Sequence, residues 1–299
     1  MSHLQSQLRS EPVSAVFNMA ANIFRPSLLG YIVVSLFSVL AMLPFVLRMF
    51  GADFGQMVDL LDASNPFEQS QMLQSMIEDG LEGIASDPLI LVLGLVFILV
   101  AILVGAWYYN LLFMGIEHRM KGHQPRLASL FSSSFNRNIT WIAGANLLIV
   151  FIMLGIAAIG ATLAAAVTPI LILPVLLFLG VLAMRFLVVY PYIVHADQGI
   201  GEAISSSFRL IGWGRAFRYF GAGILACLAL MVSSMVLGLL QAALALIPMI
   251  GIVLYFIANI ALSAFISGLI ISSMSGVYYR HTEDLEEDGG LALEDHLLI

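Results

Sequence analysis

Residues 28–50, 89–116, 139–166, 170–194, 217–246 and 250–279 form six apolar runs. Each is as long as the roughly 20 residues that a helix needs to cross a hydrocarbon layer. The chain is 61% hydrophobic and 10% charged, against roughly 45–50% and about 25% in soluble domains, so a water-soluble core does not absorb this much apolar side chain. The third and fourth runs are separated by Val167-Thr168-Pro169, and the fifth and sixth by Ile247-Pro248-Met249. Proline stops a helix there, so each pair reads as a tight transmembrane hairpin. The expected fold class is all-α: a polytopic membrane bundle of six transmembrane helices.

Charge distribution gives the expected orientation. Residues 51–88 carry eight carboxylates and neither lysine nor arginine. Arg9 and Arg25 precede the first run, and Arg119, Lys121, Arg126 and Arg137 lie between the second and third. Arg209, Arg215 and Arg218 lie between the fourth and fifth, and Arg280 follows the sixth. Ten of the twelve cations then share one face, which the positive-inside rule makes cytoplasmic, with both termini on that side. Arg48 sits at the outer end of the first run. A polar leader before that run, with no small-residue cleavage site after it, reads as an uncleaved signal anchor. Cys227, the single cysteine, excludes an intrachain disulfide. The formal charge of -7 sums an acidic outer loop, an acidic tail and a basic inner face, so it says little about partners.

Three short stretches have an apolar stripe at helical spacing just before a spanning run. They are Val13, Val16, Phe17, Ala20 and Phe24; Leu127, Leu130, Phe131, Ser134 and Phe135; and Ile200, Ile204, Phe208 and Ile211. Ser132-Ser133-Ser134-Phe135, with Arg137 and Trp141 after it, parallels Ser205-Ser206-Ser207-Phe208, with Arg209 and Trp213 after it. These stretches predict three repeats of one unit, an interfacial elbow helix plus a transmembrane hairpin, the first hairpin opened by the acidic loop. Arg25, Arg137, Trp141, Arg209, Trp213, Arg215 and Arg218 are the expected headgroup or interface contacts.

The acidic loop carries its own helix signal. Asn65 as N-cap, Pro66 at the first position and Glu68 start a helix whose stripe is Met72, Leu73, Met76, Ile77 and Leu81. Residues 1–282 read as one membrane domain, and the acidic residues 283–299 as a disordered cytoplasmic tail. Partners are expected to be membrane lipids, with residues 66–84 or the elbows as a surface for a membrane protein. No nucleic acid and no cofactor is expected.

Arg185 is the charge placed within a spanning run, where insertion costs at least about 2.5–3.5 kcal/mol, so it needs a cavity, a partner or the interface. It lies about nine residues, on the order of 13 Å, from the end of its run. Asn146 in the antiparallel third helix reaches a similar depth, and Asn110 lies near the inner end of the second. Two readings stand side by side. The three residues form a polar layer able to hold a lipid phosphate or solute anion, or Arg185 snorkels to the headgroups.

Tyr190, Pro191, Tyr192, His195, Asp197 and Glu202 follow at the membrane exit, where the tyrosines fit an aromatic belt and His195 with Asp197 reads as a wet loop or, second, a proton relay. Glu117, His118 and His123 lack the spacing of a zinc helix, and Gly122 and Pro125 mark a turn. Gly268, Ser272 and Gly276 read as close helix packing within the bundle. No phosphate-cradling glycine loop, Gly-x-Ser-x-Gly elbow or pair of intramembrane aspartates is present, which weighs against a hydrolase. A transporter would need clear half-helix breaks at midplane and repeated acidic residues in the membrane, and both are missing.

Asn22-Ile23-Phe24-Arg25 before the first run, the Gln- and Met-rich outer loop, and the stretch Pro191 to Arg209 with Ala203-Ile204-Ser205-Ser206-Ser207-Phe208-Arg209 carry a resemblance. They are similar to the YciC-like bacterial inner-membrane proteins, which are in turn distantly similar to the membrane domain of some glycerophosphodiester phosphodiesterases. The resemblance covers most of the chain loosely, implies a polytopic inner-membrane protein and transfers no catalytic residue. The acidic tail departs from the pattern. The function expected first is non-enzymatic binding of lipid or a partner in the envelope, then transport of a small solute or anion, then membrane-embedded catalysis.

Overall fold

The structure, a computed structural model, describes residues 10–49, 88–123, 126–166, 168–224, 231, 235 and 250–287. The acidic loop before residue 88, most of the fifth run with Cys227, and residues 288–299 lie outside the described residues. Among the described residues every regular element is helical, as expected. The order is α1 (Pro12–Asn22), α2 (Phe24–Met49), α3 (Pro88–Met120), α4 (Leu127–Ser134), α5 (Asn138–Ala166) and a 3₁₀ turn (Pro169–Leu171). Then come α6 (Ile172–Arg185), α7 (Val189–His195), α8 (Ile200–Leu210), α9 (residues 213–224) and α10 (Ile250–Glu287).

Among the described residues, four helical segments are long and apolar enough to cross a membrane: Gly94–Met120, Asn138–Ala166, Ile172–His195 and Ile257–Thr282. The bent pair of α1 with residues Phe24–Leu40 of α2, which meet at 57°, makes a fifth if it is counted as one span. Several long apolar helices make this a multi-pass membrane protein.

The chain divides into two compact units. Residues 32–105 form one, in which Leu36, Leu40 and Leu95 are 59%, 67% and 63% exposed. Residues 1–31 and 106–299 form the other. Its core contains Met19, Ile23, Phe113, Ile142, Ile193 and Ile271, all at most 2% exposed. Here α1 lies along α10, α5 pairs with α6, and α7 packs on α5, α8 and α10.

Proline sets several helix starts. Pro26, Pro174 and Pro191 each occupy the third position of a helix, in α2, α6 and α7. A backbone N–H there has no intrahelical acceptor, so its loss is harmless, while the proline ring stops any helix from running in from four residues before. Pro26 thereby ends α1 at its elbow. Pro191 corrects the expectation of one unbroken fourth helix over 170–194: residues 186–188 interrupt it, with Phe186 N–H bonded to Ala183 O at 3.1 Å and Val189 N–H to Phe186 O at 3.1 Å. The two pieces, α6 and α7, still form one span over Ile172–His195. The α5–α6 turn agrees with the expected hairpin at Pro169, and the two helices approach so closely that a Cβ on Gly160 would run into the Val175 side chain.

The three stretches expected as elbows are short helices, each followed after at most three residues by a further helix: α1 by α2, α4 by α5, and α8 by α9. In α1 the buried side is Ala15, Met19 and Ala20, while Val13 and Phe17 are 70% and 51% exposed. Helix α10 continues through Glu287.

Candidate functional site

A helix leaves its last carbonyls without intrahelical donors, and in an apolar medium each unpaired carbonyl is costly. At the ends of α4 and α8 the donors include Asn110 and Arg185, two polar residues singled out by the sequence.

At the second elbow, Asn110 of α3 is fully buried, and its amide donates to Ser134 O at 2.7 Å and to Asn136 Oδ1 at 2.9 Å. Asn136 Oδ1 also accepts the Asn138 N–H at 3.0 Å, which caps α5. One turn earlier, Trp107 Nε1–H donates to Ser134 Oγ at 2.8 Å, its ring stacked on Phe135 with centroids 5.4 Å apart.

At the third elbow, Arg185, the last residue of α6, donates from Nε to Ile211 O at 3.1 Å and from Nη2 to Phe208 O at 3.0 Å. Its guanidinium carbon lies 4.2 Å from the Phe208 ring centroid and 4.6 Å from that of Trp213. A cation between two aromatic rings at the carbonyl end of a helix is favoured by both the ring quadrupoles and the helix dipole. Arg215 Nη1 adds a bond to Leu210 O at 2.9 Å.

At the first elbow, Ser27 Oγ donates to Ala264 O of α10 at 2.6 Å and accepts from the Tyr108 hydroxyl at 2.9 Å. Gly268 of α10 lies beside the Ala20 carbonyl.

The polar layer expected from Arg185, Asn146 and Asn110 is not one site. Arg185 and Asn110 fasten two different elbows, and Asn146 accepts a hydrogen bond from the Tyr190 hydroxyl. Tyr190 in turn stacks on Tyr109 at 6.1 Å. The Arg185 guanidinium reaches the end of α8, where it is part-buried. Of the expected interface residues, Arg25, Arg209, Arg215 and Arg218 are exposed, Trp213 is 45% exposed, and Trp141 is half-buried. Arg137 forms a forked, exposed ion pair with Asp197, both Nη2–O distances being 2.9 Å.

His195 departs most from expectation. Its side chain is 2% exposed rather than in a wet loop, and its Nδ1 lies 3.7 Å from Glu117 Oε2, not against Asp197. Phe113, Tyr278 and Tyr279 surround the ring. No local spacing signals a contact between the ends of α3, α7 and α10, so sequence reading placed Glu117 with His118 and His195 with Asp197. His118 instead bonds Met114 O within its own helix.

Chemically, the third elbow holds exposed cations, Arg209 and Arg218, beside a fastened helix end. No family model, no curated protein and no solved structure matches the chain.

Proposed function

We propose that the chain is a six-helix, multi-pass protein of a bacterial inner membrane with both termini cytoplasmic. It is built from three repeats of elbow helix plus hairpin, and it binds anionic lipid headgroups through its elbows. The YciC-like resemblance belongs to the same proposal. One observation carries the binding role. The C-termini of α4 and α8 are each secured by a polar side chain of the preceding spanning helix, Asn110 and Arg185, and the third elbow still presents Arg209, Arg218 and the Trp213 ring outward. A fixed elbow with exposed cations is a preorganised contact for phosphate, each cation near an anionic surface contributing about 1 kcal/mol. The repeat reading draws on Ser134 and Ser207, equivalent in the serine-phenylalanine motif and both fully buried against the preceding helix.

Native mass spectrometry of protein taken from vesicles with equal phosphatidylglycerol and phosphatidylcholine tests this. The wild type retains phosphatidylglycerol selectively, and the double variant R209A/R218A loses that preference. Equal retention of both lipids by the wild type removes the headgroup role. Cysteine reporters at positions in 51–88 and in the tail, in a Cys227→Ser background, should label from opposite sides; same-side labelling removes the topology.

The interruption at residues 186–188 supports a second reading, transport of a small anion. Flux into proteoliposomes that is abolished by Arg185→Leu while the fold persists would favour it over the lipid role.

A further inference from the structure

His195 closes α7 in an enclosed position, with Phe113 edge-on at 5.8 Å and the rings of Tyr278 and Tyr279 at 5.4 Å and 5.1 Å between centroids. Its side chain is 2% exposed, and neither ring nitrogen has a hydrogen-bond partner. Glu117 Oε2 stands 3.7 Å from Nδ1, and Glu117 itself keeps 20% of its side chain exposed. A neutral imidazole has one donor and one acceptor nitrogen, and burial without partners forfeits the hydrogen bonds of both. An imidazolium in the same place has a carboxylate within a small movement of a hydrogen bond and aromatic rings to receive its charge.

We propose that His195 is a proton-binding site. The Nδ1 lone pair takes a proton from hydronium in the solvent at the rim, where Glu117 is partly exposed, releasing water, and the N–H bond formed pairs with the Glu117 carboxylate. That pairing draws the end of α7 onto α3. The groups facing the ring are named readily. Glu117 on α3 is shared with Lys121 one turn later, and α10 contributes the tyrosines 278 and 279. Asp197, two residues on, is taken by Arg137. From α5 and α8, which also pack on α7, no ionisable side chain pairs with the ring among the described residues. Residues 196–199 join α7 directly to α8, so proton occupancy at His195 acts on the third elbow. This inference is independent of the lipid reading.

The test uses the full chain in nanodiscs with isotope-labelled histidine, six side chains in all, followed by imidazole carbon resonances against pH. His195→Phe, which suits the aromatic surroundings, identifies the signal by its loss, and His195→Gln serves if that variant does not fold. The His195 signal is expected to change from the neutral to the protonated shift on acidification. In the near-isosteric Glu117→Gln the transition moves by about one pH unit toward acid. A His195 signal that stays neutral throughout, or a transition unmoved by Glu117→Gln, overturns the proposal.

Discussion

Ser207 holds Arg185 by one bond, and Arg185 holds the residues just after Ser207 by two more. The Ser207 hydroxyl donates to the Arg185 carbonyl at 2.5 Å, and the Arg185 guanidinium returns two bonds to the carbonyls of Phe208 and Ile211. The interruption after α6 and the end of α8 are therefore one joint. The carbonyl released where α6 stops is satisfied by the elbow, and the carbonyls released where the elbow stops are satisfied by α6.

Arg185→Leu leaves two carbonyls in an apolar setting without donors, and it should destabilise the protein by about 2–4 kcal/mol. Arg185→Lys keeps the charge but not the fork, and should fall between the two. Reversible unfolding in mixed micelles, followed by tryptophan fluorescence, measures both; a stability loss below about 0.5 kcal/mol for the leucine variant would refute the joint.

Asn110→Asp exchanges a donor amide for an acceptor facing two acceptors, Ser134 O and Asn136 Oδ1. It should be worse than Asn110→Ala, which loses about 1–2 kcal/mol. Hydrogen exchange should rise in residues 127–138 and stay unchanged in α10. Uniform protection in both variants would show that the second elbow is held by other means.

Gly160→Ala puts a methyl group into the Val175 side chain, at a cost of about 1–3 kcal/mol. Val175→Ala frees that space, so the double variant should recover most of the loss. Thermal denaturation of the two single variants and the double variant decides it, and strict additivity would remove the close contact from the explanation.

Arg137→Ala should change stability by less than about 1 kcal/mol, because the Arg137–Asp197 pair is exposed, at 62% and 69% of the side chains. Asp197 itself has φ of 51°, a left-handed conformation that a β-branched residue resists. Asp197→Val should therefore cost more than Arg137→Ala, and Asp197→Gly less than Asp197→Val. Equal melting temperatures for the glycine and valine variants would contradict this.

What could be read beforehand follows from what a chain encodes locally. The apolar runs, the break at Pro169 and the three elbow stripes are properties of consecutive residues; among the described residues four of the runs are long apolar helices, and the Pro169 turn and three short helices stand near their expected places. Pro191 was equally visible, but its position three residues into α7 was hidden because it lies among tyrosines that also fit a membrane boundary. The pairings Asn110 with Ser134, Arg185 with Ile211, and His195 with Glu117 join different helices. Periodicity cannot report them, since any polar residue of matching depth satisfies the same pattern. Depth alone therefore grouped Arg185, Asn146 and Asn110, whereas the donors required by helix ends separated them.

The hydroxyl of Ser27 waits for a carbonyl, Ala264 O, that lies 237 residues later in the chain. At roughly 5–20 residues per second of synthesis, that acceptor emerges on the order of ten seconds or more after the donor has left the ribosome. Until then the first elbow has no α10 to lie against, so its buried face, Ala15, Met19 and Ala20, must rest on lipid or on an insertion factor. Assembly of this bundle thus closes from its two ends only after the late segment arrives, which makes truncation before α10 a defect felt first at the N-terminal elbow.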